Sequence, residues 1–416
     1  IVHAHPMTTR RRAAYDAFCE REGQGLLDFA TWSALFRAHR DADAWPEGLE
    51  RADAAGVAEA RTEHADEISF AMWLQWILDT QLATAQRELV EAGMSLGVVQ
   101  DLAVGVHPSG ADTWALGDVF ARGITVGAPP DPYNQRGQDW SQPPLRPDRL
   151  EELAYAPFRD MVRAALRHSG GLRIDHIIGL FRLWWVPAGE LPLSGTYVRY
   201  DHDAMIGILM LEAERADAVV IGEDLGTVEP WVRTYLGERA VLGTSILWFE
   251  NDDGTPRAPE GYRELCLASV TTHDLPPTAG YLTGEHMRIR EELDLFTRPV
   301  EVERAADAQE RERMMRALRD RGVLAPQGAT GGDDLQETVE ALHAYVSQTP
   351  SALVGVAVPD LVGDRRAMNQ PGTHLEYPNW RLSLAGPGKS PLMLEDIVES
   401  AQARELMGVV RRGDER

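Results

Sequence analysis

The sequence predicts an α/β fold in which short buried strands, joined by helices, end on charged residues. Three stretches carry that prediction. Gly171-Leu172-Arg173-Ile174-Asp175-His176 reads as a strand stopping on Asp175, and Val219-Val220-Ile221-Gly222-Glu223-Asp224 as one stopping on Glu223. Ala268-Ser269-Val270-Thr271-Thr272-His273-Asp274 reads as a third, stopping on Asp274. Side chains two apart on a strand share a face, so Arg173 and Asp175 emerge on the same side. In parallel α/β frameworks the ends of the strands are where ligands are held.

Taken in order, residues 9–90 read as helical. Leu74, Leu78, Leu82, Ala85 and Leu89 recur at helical spacing as one stripe, and Gly93 is a stop. Trp73 and Trp76 on a neighbouring face are expected to pack in a core. Residues 107–150 are loop-rich, and Pro129, Pro130, Pro132, Pro143, Pro144 and Pro147 occur there with Tyr133 and Trp140. Long irregular segments inside compact domains are usually functional or disordered, and these aromatics favour function. A helix near 155–168 leads into the Asp175 strand. Ile206, Leu209, Met210 and Ala213 give another helical stripe, and Thr227 is expected to cap a helix with Pro230 in its first turn. Residues 284–345 are charged and helical, and 394–409 form a closing helix.

Six strands result: 96–106, 172–175, 219–223, 241–248, 267–272 and 352–358. Strands alternating with helices suit an open parallel sheet, or a (β/α)8 barrel lacking its first two strands. The expected organisation is a helical subdomain over 1–92 and a barrel core over 93–283 that includes the active-site loop 107–150. A helical insertion over 284–345 follows, and 346–416 supply the final strand, a loop and the closing helix.

A chain of 416 residues buries an ample core. Its formal charge of −24 argues against nucleic acid or an anionic membrane as partner and is compatible with a neutral ligand. Two cysteines, Cys19 and Cys266, make no disulfide framework, so the chain is expected to be cytoplasmic. No apolar run reaches the roughly 18 residues that span a bilayer. The start, Ile1-Val2-His3-Ala4-His5-Pro6, resembles no signal peptide and lacks an initiator Met, so the chain is expected to begin within a larger protein.

Paired carboxylates at neighbouring strand ends suit glycoside chemistry. With two carboxyl groups about 5 to 5.5 Å apart, one attacks the anomeric carbon while the other protonates the leaving oxygen. Asp175, beside Arg173, suits the nucleophile. Glu223 suits the acid, with Asp224 expected to raise its proton affinity by like-charge proximity. His273 and Asp274 would grip sugar hydroxyls. Each also has a plainer reading: Arg173 and Asp175 as a structural ion pair, Asp224 as a cap, His176 as a supporting residue.

The motifs Gly171-Leu172-Arg173-Ile174-Asp175-His176, Ile221-Gly222-Glu223-Asp224-Leu225-Gly226 and Thr271-Thr272-His273-Asp274-Leu275-Pro276 resemble those of the 4-α-glucanotransferases, or amylomaltases, of the α-amylase clan. The loop from Gly127 to Tyr133 followed by Gly137-Gln138-Asp139-Trp140 is similar to the one overhanging that family's active site. So are Asn369-Gln370-Pro371-Gly372-Thr373 and Tyr377-Pro378-Asn379-Trp380-Arg381 to its C-terminal signature, and the stretch from Gln100 to Trp114 to its third-strand region. The resemblance implies a (β/α)8 TIM-type barrel, here lacking its first strands, with helical insertions.

It also implies roles: Asp175 as nucleophile, Glu223 as acid/base and Asp274 as third carboxylate. Arg173 and His273 would contact the donor sugar, with Trp140 and Asn369 on the acceptor side and Tyr133 and Asp131 in the overhanging loop. The implied reaction moves a 1,4-α-glucan segment between malto-oligosaccharides or to glucose, with no cofactor and no metal. The His-Asp-Leu-Pro motif departs from the His-Asp-Asn-Asp of many members but leaves Asp274 in place. Three rivals remain: a hydrolytic amylase-type enzyme, an amidohydrolase using His3 and His5 as metal ligands, and an inactive glucan-binding remnant.

Overall fold

The computed structural model describes residues 7–40, 45–131, 135–326, 334–373 and 375–413. The chain divides into two units: residues 1–130 with 137–223, and residues 131–136 with 224–416. All six expected strands form, three in each unit.

The first unit opens with three helices, α1 (Thr9–His39), α2 (Val57–Glu63) and α3 (Ala65–Glu91). The Thr8 hydroxyl accepts the Arg11 N–H at 3.3 Å and caps α1, and Gly23, with φ of +55°, kinks it. The leucine stripe of α3 is not its buried face: Leu74 and Leu78 are 43% and 46% exposed. The inward ridge is instead Ile68, Met72 and Trp76, spaced by one turn each and packed with Trp73 against side chains of α1 such as Tyr15, Phe18 and Leu26. That ridge carries the bulkier side chains, so it wins the buried side, and both tryptophans pack as expected.

Strand β1 (Val99–Leu102) follows, then α4 (Ala111–Leu116), β2 (Ile124–Ala128), β3 (Gln138–Asp139), α5 (Pro147–Glu152), α6 (Ala156–Leu166), β4 (Gly171–Ile174), β5 (Arg182–Pro187), β6 (Thr196–Arg199), α7 (His202–Ala216) and β7 (Val219–Gly222). β1, β4 and β7 make a parallel sheet in that order. α6 buries Phe158, Val162 and Leu166 at i, i+4 and i+8, and α7 buries Met205, Ile206, Leu209 and Ala213. The Asp201 carboxylate caps α7 by accepting the Ala204 N–H at 3.1 Å. A second sheet, antiparallel in the order β3-β2-β5-β6, occupies part of the 107–150 stretch read as loop-rich.

The second unit holds α8 (Pro230–Gly237), β8 (Gly243–Ile246), the hairpin of β9 (Asn251–Asp252) and β10 (Thr255–Pro256), and β11 (Cys266–Ser269). Next come α9 (Thr278–Leu282), α10 (Glu285–Glu292), α11 (Val300–Asp320), α12 (Leu335–Val346), β12 (Leu353–Gly355), α13 (Val358–Val362), α14 (Leu394–Glu399) and α15 (Ala401–Gly413). Its sheet is parallel, β12-β11-β8. Ile246, Leu247, Cys266, Ala268, Leu318 and Leu342 lie at the centre of its core. Glu229, not Thr227, holds the cap position of α8. Pro230 is the first helical residue and forces extended backbone on the residue before it, so the boundary falls at Glu229. The closing helix is split in two at Ser400, whose ψ of 125° is extended.

Candidate active site

Register places the first two carboxylates. β1 pairs Asp101 with Arg173 and Leu102 with Ile174, and β7 pairs Gly222 with Ile174. Asp175 and Glu223 therefore follow at corresponding positions on adjacent parallel strands, whose backbones run about 4.8 Å apart. Main-chain bonds extend the ladder through both: Asp175 N–H donates to the Leu102 carbonyl and Glu223 N–H to that of Ile174, each at 2.9 Å. Gly222 sits just before Glu223 because the turn after β4 crosses it closely. A Cβ there would lie 2.6 to 3.1 Å from three side-chain carbons of Ile177.

Arg173 ties the sheet end together. Its guanidinium donates to Asp101 Oδ1 at 2.6 Å and to Asp175 Oδ1 at 3.1 Å. Burial works against its charge, but Asp101, Asp175 and Glu223 outweigh burial and hold the guanidinium above its ordinary proton affinity. The expected Arg173–Asp175 pair is thus present, with a third member. Asp101 went unassigned in the sequence, because it lies inside its strand, opposite Arg173 in register, and does not close the run as Asp175 does.

His176 turns the chain. Its φ of +46° and ψ of +56° are left-handed, a sparsely populated region for a non-glycine residue. That conformation aims its N–H at Glu223 Oε2, 3.0 Å away. The next N–H, of Ile177, donates to the Glu223 carbonyl at 3.0 Å. The imidazole meets Trp140 edge-on with centroids 5.3 Å apart, and Trp140 Nε1–H donates to Gln138 Oε1 at 3.2 Å. Burial, and then Arg182, push the imidazole down to about 4.

An unfolded imidazole titrates near 6.5, so between these values the unfolded chain binds the extra proton and stability is lost as pH is lowered. Urea unfolding should therefore lose up to about 1.4 kcal/mol per pH unit from this group as pH drops from 6.5 toward 4. The His176→Asn variant, which tolerates left-handed backbone, should lack that slope. Equal slopes in the two proteins would show that His176 is not held neutral.

Asp224 is neither the helix cap nor the pressure on Glu223 that its sequence position suggested: Glu229 holds the cap position of α8, and Asp224 is the anion of a buried ion pair. It is 1% exposed and belongs to the second unit. Arg263 grips it at 2.5 and 3.1 Å, Arg233 approaches to 3.4 Å, and Thr244 N–H donates to it at 2.9 Å. With two arginines on it, its charge is compensated, so like-charge pressure on Glu223 is not its role.

In the second unit, the chain leaving β11 presents His273 and Asp274, with His273 Nε2 3.2 Å from Asp274 Oδ2. Thr272 Oγ1 accepts the Asp274 N–H at 3.2 Å. The Asn369 amide donates to Asp274 Oδ1 at 2.7 Å, joining two stretches 95 residues apart. Asp131 is half-buried in this unit, and Tyr133 lies outside the described residues, as do His3 and His5. Among the described residues no three or more His, Cys, Asp or Glu side chains are grouped to hold a metal ion. No described helix is long and apolar enough to cross a membrane. A cavity of about 860 Å³ in the second unit, beside Tyr345, Gln348 and Val409, contains none of the candidate carboxylates.

A family model described as 4-alpha-glucanotransferase matches residues 2–387. The chain belongs to the 4-alpha-glucanotransferase family. It is 59% identical to the 4-alpha-glucanotransferase of Mycobacterium tuberculosis over 99% of its own length and 57% of that protein's. To the Haemophilus influenzae 4-alpha-glucanotransferase it is 32% identical, over 91% of its length and 56% of the relative. The chain thus spans a little over half the length of these relatives. Among solved structures it is similar to the amylomaltase of Corynebacterium glutamicum, with a TM-score of 0.87 and 46% identity over 97% of this chain and 57% of that one. The Streptococcus agalactiae amylomaltase solved with acarbose shares the fold, with a TM-score of 0.74 at 18% identity over 98% of this chain and 75% of that one.

Proposed function

We propose that this 4-alpha-glucanotransferase family chain is an enzyme moving a 1,4-α-glucan segment between malto-oligosaccharides, or to glucose, by a retaining double displacement. The observation that supports it most is the pairing of Asp175 and Glu223 on adjacent parallel strand ends, with Arg173 bridging Asp101 and Asp175. In the first step an Asp175 oxygen bonds the anomeric carbon as the C1–O4 bond breaks, and Glu223 gives its proton to the leaving oxygen. In the second, an acceptor hydroxyl attacks the same carbon, Glu223 takes back a proton, and the ester bond to Asp175 breaks. By the same proposal Asp274 is the third carboxylate, Arg173 and His273 contact the donor sugar, Trp140 and Asn369 border the acceptor side with Tyr133 stacking an acceptor ring, and Asp131 contacts substrate from the overhanging loop.

The same proposal takes the fold as a TIM-type barrel with helical insertions at 1–92 and 284–345, a reading that the likeness to amylomaltases supports. Two free cysteines favour a cytoplasmic setting. Incubation with maltotriose tests the activity. A ladder of longer oligosaccharides together with glucose is the expected result. Glucose and maltose alone would mean hydrolysis, and unchanged maltotriose would mean that the chain does not carry the reaction.

A further inference from the structure

The third-carboxylate region has a neighbour that the motif reading left without a role. Trp380 is 64% exposed, and its φ is +59°. A bulky side chain in left-handed backbone is uncommon and persists only where its surroundings enforce it. Here the surroundings do. Trp380 N–H donates to the Met368 carbonyl at 2.9 Å, and Tyr377 hydroxyl to that of Ala367 at 2.7 Å. The Asn379 carboxamide oxygen accepts the Gln370 N–H at 2.8 Å while its NH2 reaches Thr373 Oγ1 at 2.9 Å. These bonds tie the stretch ending at Trp380 onto the stretch carrying Asn369. Asn369 in turn holds Asp274, and the indole lies 5.3 Å from the His273 ring, tilted by 50°.

Folding alone gives no reason to hold a tryptophan this way. A left-handed position is cheapest with glycine, and a ring left mostly in water returns little burial energy. The cost falls at a place where two polar side chains, His273 and Asp274, stand beside a large apolar face. A glucopyranose ring asks for that combination: its equatorial hydroxyls need donors and acceptors, and its C–H face needs the electron-rich face of an aromatic ring.

We propose that Trp380 is a sugar-stacking platform, receiving a glucosyl ring of the malto-oligosaccharide held by His273 and Asp274. The proposal rests on the functional reading above, and the following measurement separates the two.

Maltotriose is titrated calorimetrically into the Asp175→Asn protein, where turnover is suppressed, with Trp380 intact or replaced. Trp380→Gly relieves the backbone conformation while removing the ring, so its thermal midpoint should equal or exceed the parent's, and its affinity should fall about tenfold. Trp380→Phe, which keeps an aromatic face, should stay within about threefold of the parent. Parent-like affinity in Trp380→Gly overturns the platform and leaves the transferase reading standing. A parent protein that makes the oligosaccharide ladder but gains no affinity from any aromatic at 380 overturns it likewise. Absence of maltotriose binding by the parent removes both.

Discussion

Asp175→Asn should abolish formation of the oligosaccharide ladder from maltotriose, lowering the transfer rate by roughly 10⁴-fold or more. The amide matches the carboxylate in size and keeps an acceptor oxygen for Arg173, so the strand end should stay folded. What is lost is the negative oxygen that bonds the anomeric carbon. Thermal stability within a few degrees of the parent, alongside abolished transfer, is the pattern expected of a nucleophile. A variant retaining a tenth of the parental rate would remove Asp175 from that role and leave the Arg173–Asp101–Asp175 cluster as a structural ion network.

Asp224→Ala should act on the fold. Asp224 is buried and held by Arg263 on two atoms. Deleting it leaves that guanidinium short of its counter-charge and the Thr244 N–H without its acceptor. Breaking a buried pair from one side costs about 3–5 kcal/mol. Arg263 keeps 31% of its side-chain surface open to water, so the lower end, about 3 kcal/mol, is expected. Urea unfolding followed by tryptophan fluorescence would read this as an earlier transition with unchanged steepness. Undiminished stability accompanied by a collapse of transfer would mean that Asp224 takes part in the chemistry, contrary to its pairing.

The carboxylate strands were legible because each is a short apolar run closed by a charged residue, and burial enforces that pattern wherever a parallel sheet is covered on both faces. Strands of four residues around Arg173 and Glu223 could be placed to within a few positions. The antiparallel sheet was not legible. β2 and β3 are separated by the Pro129 to Gly137 stretch, and β3 is two residues long, too short to show a period of two. On α3 the core packing of Trp73 and Trp76 was legible, but that the leucine stripe stays outside was not: the choice of buried ridge is made by the partner helix, which periodicity does not encode. Asp101 was visible as a residue but not as a partner, because its bond to Arg173 spans 72 positions.

The left-handed turn at His176 has a consequence for how this site can vary. The group aimed at Glu223 is a main-chain N–H, so its direction is fixed by torsion angles and not by which side chain hangs from the residue. Randomising position 176 should therefore return a narrow set of active survivors, chiefly Gly, Asn and Asp, which enter that torsional region at least cost. Val, Ile and Thr should drop out of such a library even though they are smaller than imidazole.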